Sequence, residues 1–130
     1  MCCVPGEYHV TDGDQFAERL AAVRKRFASK LVARIAEIDA VLPQLTDKSG
    51  DVATLVYNAH RKVHDLCGIG PTLGFDATGK AARACEQILL QPSRGERGLT
   101  EQELAHLKEQ LVALRAAAQT EIQSTASVGE

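Results

Sequence analysis

Residues 51–70 read DVATLVYNAHRKVHDLCGIG, and their pattern is the most informative one in the chain. Its apolar side chains recur every three or four residues, the spacing of one face of an α-helix. They are Val52, Leu55, Val56, Ala59, Val63 and Leu66. The opposite face collects Tyr57, Arg61, His64 and Gly68, with His60 and Cys67 at its boundary. The stretch therefore predicts an amphipathic helix from about Asp51 to Gly70 that exposes the His64 imidazole.

A longer apolar stripe precedes this helix. It consists of Phe16, Leu20, Val23, Phe27, Leu31, Ile35, Ile38 and Leu42. Asp12 or Asp14 can cap its start, and Pro43 ends it, since proline lacks the N–H that a helix needs. A kink could divide the stripe into a short and a long helix. Residues 44–50 have the composition of a turn.

Two more helices are predicted after residue 70. One runs from Asp76 to Gln91, ahead of Pro92, and the residues up to Gly98 form a surface loop. The last begins with Thr100-Glu101-Gln102-Glu103, a capping box in which threonine and glutamate each bond the other's backbone amide. Its stripe is Leu104, Leu107, Leu111, Leu114, Ala118 and Ile122.

Each helix has one apolar stripe, which it must bury against the others. We therefore expect an all-α, antiparallel up-down four-helix bundle over residues 13–123. Residues 1–12 form a flexible leader in this interpretation, an N-terminal extension that could also hold an extra short helix. Residues 124–130 form a frayed tail.

The composition excludes several classes of function. The net charge of −2 gives no field that would favour nucleic acid or an anionic membrane. No apolar run is long enough to span a membrane, and residues 1–6 are too short and broken for a signal peptide. We expect a cytoplasmic, monomeric protein whose four cysteines stay reduced.

His64 and Gly68 are one helical turn apart on the exposed face. Glycine inside a helix costs up to about 1 kcal/mol relative to alanine, and solvent contact alone does not require it. Two readings stay open: Gly68 leaves room for another protein to approach the imidazole, or it marks the end of the helix ahead of Gly70 and Pro71.

The residues around His64 resemble the signature of histidine-phosphotransfer (HPt) domains. In that pattern an apolar residue follows the histidine by two positions, a basic residue by three and glycine by four, with a second glycine and an apolar residue farther on. The positions in register here are Leu66, Gly68, Gly74 and Phe75, then Ala82, Cys85 and Glu86, with Ala59 as the small residue before the histidine. The helix order matches over roughly residues 14–123.

One position departs from the pattern: Cys67 stands where the family often has the lysine or arginine that helps hold the phosphoryl oxygens. Arg61, three residues before His64 on the exposed face, is our first candidate for the missing cation. Lys62 and Lys80 are weaker candidates because of their positions.

The resemblance implies a phosphoryl carrier and not an enzyme with its own small-molecule substrate. His64 would accept a phosphoryl group on Nε2 from a receiver-domain aspartate and pass it on. The expected partners are response-regulator receiver domains and a hybrid histidine kinase. The chain would need no cofactor of its own, since Mg²⁺ belongs to the receiver. Tyr57, Arg61, Cys67, Gly68 and His60 would support or border the docking surface, and Phe75 is better explained as a core residue.

Other functions stay open. His60 and His64 have the i, i+4 spacing of two metal ligands, but Arg61 stands where a metalloprotease helix has glutamate. Without a cation at position 67, the domain could instead bind a receiver and block signalling without accepting phosphate. No residues suggest an ATP site or a hydrolase triad.

Overall fold

The computed structural model describes the backbone of residues 3–46 and 50–128, and the side chains of residues 14–46 and 50–124. Within this described part the chain forms four α-helices and no strand. The helices are α1 (Cys3–Val41), α2 (Val52–Thr72), α3 (Asp76–Arg94) and α4 (Glu101–Val128), with a 3₁₀ turn at Leu42–Thr46 after α1. The predicted all-α class is confirmed.

The helices pack around one aliphatic core. α2 lies against α3, α3 against α4 and α4 against α1, whereas α1 and α2 share a smaller contact. The centre of the core holds Leu31, Ile38, Leu45, Val56, Val63, Leu89, Leu107 and Leu114. Phe75 is also buried and meets the ring of Phe27 edge-on, with 5.1 Å between ring centroids. The prediction that Phe75 is a core residue is therefore confirmed.

The predicted core stripe of α1 is too long. Phe16 is 67% exposed and Val23 is 43% exposed. No described residue before Phe27 in α1 is buried, so the stripe enters the core only from about Phe27 onward. Periodicity shows which face of a helix is apolar, but the neighbouring helices decide how much of that face is covered.

The first helix is also longer than predicted. It begins at Cys3, not near Asp14, and forms one helix with no separate short helix before it. Pro5 lies in its first turn, where a helix leaves the backbone N–H without a partner and so accepts proline. The side chains of the predicted leader, including the vicinal Cys2 and Cys3, lie outside those that the structure describes.

Two helices continue through prolines at which they were predicted to end. α2 includes Pro71 and α3 includes Pro92, each within the last turns of its helix. One lost hydrogen bond near a helix end is compensated by packing: Pro92 is fully buried, and the ring of Pro71 contacts α3. α4 likewise continues to Val128, past the predicted frayed end, because no glycine or proline interrupts it before Gly129.

The predicted capping box at the start of α4 is confirmed. The Glu103 amide donates to Thr100 Oγ1 at 3.1 Å, and the Thr100 amide donates to Glu103 Oε1 at 2.8 Å. Arg97 adds two hydrogen bonds to the same carboxylate. In the described part of the chain, no helix has the length and apolarity that crossing a bilayer demands.

Candidate functional site

The candidate site lies on the outer side of the α2–α3 interface, where two glycines allow the helices to approach closely. A Cβ atom at Gly79 would lie 2.6 Å from Cγ of Pro71, and one at Gly70 would lie 3.3 Å from the carbonyl oxygen of Phe75. Any larger residue at Gly79 would force the helices apart. This contact brings the next turns of α3 against the exposed face of α2.

The connection between the two helices fixes their alignment. The Phe75 amide donates to the Gly70 carbonyl at 2.8 Å, and Gly74 takes a left-handed conformation with φ of 91°. Arg24 of α1 donates from Nε to the Leu73 carbonyl at 3.0 Å and so braces the turn from outside. Because this turn is held in place, residues of α2 and α3 that lie the same number of positions from it along the chain face each other.

His64 projects from α2 at this interface, and its side chain is 67% exposed. Its Nδ1 atom is hydrogen-bonded to Oε2 of Glu86, a carboxylate of α3 whose side chain is only 20% exposed. The prediction that the imidazole points outward is thus confirmed. A carboxylate of a second helix is hydrogen-bonded to the ring.

Glu86 is an ionised hydrogen-bond acceptor. Partial burial raises its pKa, but the hydrogen bond from His64, the charge of His64 and the hydrogen bond from Cys67 outweigh that effect and lower the pKa overall. A carboxylate without a proton can only accept. The Nδ1 atom of His64 therefore carries the proton, and in the neutral ring Nε2 keeps its lone pair.

His60 lies one turn before His64, on the buried side of the same carboxylate. Its side chain is 17% exposed, and its Nε2 atom is 3.9 Å from Glu86 Oε2 and makes no hydrogen bond. The two imidazoles are nearly parallel, with 16° between their planes and 6.2 Å between centroids. Burial lowers the pKa of His60, which favours the neutral form of this second imidazole.

The predicted alternative of a metal site uses these two histidines. Among the residues that the structure describes, no group of three or more histidine, cysteine, aspartate or glutamate side chains is placed to hold a metal ion. Glu86, the nearest carboxylate, is instead hydrogen-bonded to His64.

Cys67 is half-buried at the edge of the site and is a free thiol, as is the buried Cys85. Burial, the charge of Glu86 and a hydrogen bond to its carboxylate raise the pKa of Cys67 to about 11. The thiol is thus neutral at physiological pH and donates to Glu86. It contributes no positive charge where the HPt pattern often has a basic side chain.

Gly68 is exposed, and a Cβ atom built on it would meet nothing within 4 Å. α2 continues to Thr72, so Gly68 does not mark the end of the helix. Of the two readings of this glycine, the one that makes it a helix terminus is wrong. An open patch of surface lies one turn beyond His64.

The candidate cations near His64 differ in the groups that they contact. The guanidinium carbon of Arg61 is 6.0 Å from the ring centroid of Tyr57, which is itself 50% exposed. Lys62 forms an ion pair with Glu37 of α1 at 3.3 Å and so faces away from the site. Lys80 is exposed near the start of α3.

The contact of Glu86 with His64 was not predicted from the sequence. The resemblance places this residue in register, but the residues alone do not show that it would face an imidazole 22 positions earlier in the chain. Only the pairing of α2 with α3 reveals the contact.

No protein-family model matches this chain, and neither the curated proteins nor the solved structures contain a match.

Proposed function

We propose that this chain is a histidine-phosphotransfer protein that relays a phosphoryl group between receiver-domain aspartates through phospho-His64. The observation that carries the proposal is the exposed imidazole with Nδ1 bound to Glu86, which leaves the lone pair of Nε2 for a nucleophilic attack. The proposed phosphorelay is a two-component system, with response-regulator receivers and a hybrid histidine kinase as partners.

The proposed transfer needs no general base. The Nε2 lone pair attacks the phosphorus of an aspartyl phosphate, the bond from phosphorus to the aspartate oxygen breaks, and the aspartate leaves as a carboxylate. The new phosphoimidazolium has a proton on Nδ1 and a positive charge on the ring. The Glu86 carboxylate accepts that proton's hydrogen bond and balances the charge. The reverse transfer restores the neutral ring.

The open surface at Gly68 supports the same proposal. A carrier of this kind has no pocket of its own, because the receiver supplies the Mg²⁺ and most of the charge neutralisation. The receiver must therefore close over the ring, and a residue without a side chain one turn away allows that approach. In this proposal the four helices form an antiparallel up-down bundle that presents α2 to the partner.

The test is phosphotransfer profiling against receiver domains from the same organism. Phosphorylated receivers are incubated with the wild-type chain and with His64→Gln, and the label on the chain is treated with acid and with base. An acid-labile, base-stable label on the wild type that is absent from His64→Gln supports the proposal. Labelled His64→Gln, or no transfer to the wild type from any receiver, would overturn it.

The neutral thiol at Cys67 favours one alternative, a domain that binds a receiver and blocks it without accepting phosphate. The same experiment separates the two functions. A receiver that forms a complex with the wild type but keeps its own phosphoryl group identifies a blocking module.

A further inference from the structure

The contacts between α2 and α3 set a register along the interface. Pro71 lies against Gly79, and His64 lies against Glu86. Moving away from the turn, α2 passes from Pro71 through Cys67 to His64 in steps of four and three residues.

α3 passes from Gly79 through Arg83 to Glu86 in the same two steps. Residues at these intervals share one face of a helix. Arg83 is therefore on the face of α3 that meets α2, directly across from Cys67.

The positive charge of Arg83 affects the Cys67 thiol. Among the influences on Cys67, burial and Glu86 raise the pKa of the thiol, and the positive charge of Arg83 lowers it. The Arg83 side chain itself is exposed, and Gly68 beside Cys67 leaves the space above this part of α2 open. The guanidinium group can therefore move along the surface without displacing a packed side chain.

Three other cations on or beside α2 have partners. Arg61 lies over the Tyr57 ring, and Lys62 is paired with Glu37. Arg34 is 3.9 Å from Asp65, the residue after His64. Within the part of the chain that the structure describes, Arg83 takes part in no ion pair or hydrogen bond, so it does not have to break one to bind an anion.

We infer that Arg83 of α3 binds the oxygens of the phosphoryl group on His64, in place of the basic side chain that the HPt pattern has at the position of Cys67. The inference rests on the proposed function and deepens it. A guanidinium group offers a fork of N–H donors that matches two phosphoryl oxygens, and its charge is present at every physiological pH. The cation thus comes from the neighbouring helix and not from the helix of the histidine.

The test uses phosphoramidate as a donor, so that no receiver is needed. The Nε2 atom of His64 attacks phosphorus, the bond to the amide nitrogen breaks, and ammonia leaves. The full-length wild type is compared with Arg83→Ala, Arg83→Lys, the rival cation variant Arg61→Ala and a matched control, Arg19→Ala, at an exposed position of α1, with His64→Gln as the blank. Intact-mass spectrometry follows the rate, and ³¹P NMR follows the protonation of the phosphoryl group as the pH is varied.

We expect Arg83→Ala to slow labelling about ten-fold, the effect of losing one charge-assisted hydrogen bond at an exposed site. It should also raise the pH at which the phosphoryl group is protonated, since a nearby cation favours the dianion. Arg83→Lys should recover part of both effects, and Arg19→Ala should change neither. A structural role of Arg83 would not move the ³¹P titration.

The outcomes separate the inference from the proposed function. Wild-type labelling at His64 with an unchanged rate and titration in Arg83→Ala overturns the role of Arg83 alone. If Arg61→Ala, and not Arg83→Ala, slows the labelling and shifts the titration, the cation is Arg61, and the role of Arg83 is likewise overturned. A wild type that phosphoramidate does not label at His64 overturns the inference together with the proposed function.

Discussion

The Nδ1 atom of His64 and the carboxylate of Glu86 form a hydrogen bond that joins α2 to α3 at the protein surface. The same carboxylate accepts a hydrogen bond from Cys67 and lies 3.9 Å from the buried Nε2 atom of His60. One residue of α3 thus lies close to three residues of α2. The exposed imidazole is held in one tautomer, although most of its ring faces solvent.

Removal of the Glu86 carboxylate should free this tautomer. Glu86→Gln keeps an oxygen that can accept from Nδ1–H, whereas Glu86→Leu keeps none. We expect Glu86→Leu to mix the two neutral tautomers of His64 and to slow phosphorylation by about three- to ten-fold, the loss of one net hydrogen bond. Nitrogen-15 shifts of the imidazole report the tautomer directly. An unchanged tautomer in Glu86→Leu would contradict the proposed role of the carboxylate.

Gly68→Ala should change stability and activity in opposite directions. The added methyl group meets nothing within 4 Å, so alanine should stabilise α2 by up to about 1 kcal/mol. The same methyl group narrows the approach to His64, so transfer from a phosphorylated receiver should slow. Urea unfolding and phosphotransfer kinetics measure the two effects. A stabilised variant with undiminished transfer would show that no partner contacts this position.

Gly79→Ala is the opposite case, because its Cβ would come 2.6 Å from Cγ of the Pro71 ring. A proline ring cannot rotate away, so the helices must separate, and overpacking of this kind costs about 1–3 kcal/mol. The separation should also weaken the contact between His64 and Glu86. Urea unfolding of Gly79→Ala beside Gly50→Ala, a position with nothing within 4 Å, tests the prediction. Equal stabilities would argue against the close helix contact.

Glu121 of α4 caps the start of α3. Its carboxylate accepts from the amides of Ala77 and Thr78 at 3.0 and 2.8 Å, and from the hydroxyl of the buried Thr78 at 2.6 Å. Glu121→Ala leaves these donors without that acceptor and should lower the free energy of unfolding by about 1–3 kcal/mol. The exposed Glu109 of the same helix provides the control for substitution to alanine. A loss at Glu121 no larger than that at Glu109 would rule out the capping role.

The capping box of α4 should make stability depend on pH. Hydrogen bonds from Arg97 oppose the effect of burial and, with the bonds from Thr100, lower the pKa of Glu103 to about 2. A carboxyl group with a lowered pKa stabilises the fold above its unfolded pKa of about 4.3 and loses that contribution as the pH falls toward 2. The stability difference between wild type and Glu103→Gln should therefore be full at pH 7 and shrink below about pH 4. A difference that does not change with pH would contradict this pairing.

Local features of the chain were predicted well from the sequence. The exposed face at His64 follows from the apolar spacing of residues 51–70, and the cap at Thr100 and Glu103 follows from a four-residue pattern. Both depend on residues within a turn or two of each other. The lengths of the helices were predicted less well, since Pro71 and Pro92 lie inside helices that packing maintains.

In the candidate site, too, some features depend on neighbouring residues of one helix and others on the packing of two helices. The exposed imidazole of His64 and the open surface at Gly68 could be identified from one helix, because the helical period alone sets which side chains share a face. The contact of Glu86 with His64 and the place of Arg83 across from Cys67 could not, because they depend on how two helices align.

The local pattern of residues thus predicts which segments form helices and which face of each helix is apolar, since these properties arise from neighbours three and four positions apart. The packing of the helices determines which part of α1 is buried and which residue of α3 meets His64. Those outcomes depend on the close approach of Gly79 to Pro71 and on the turn at Gly74, and the spacing of residues along one helix carries no information about either.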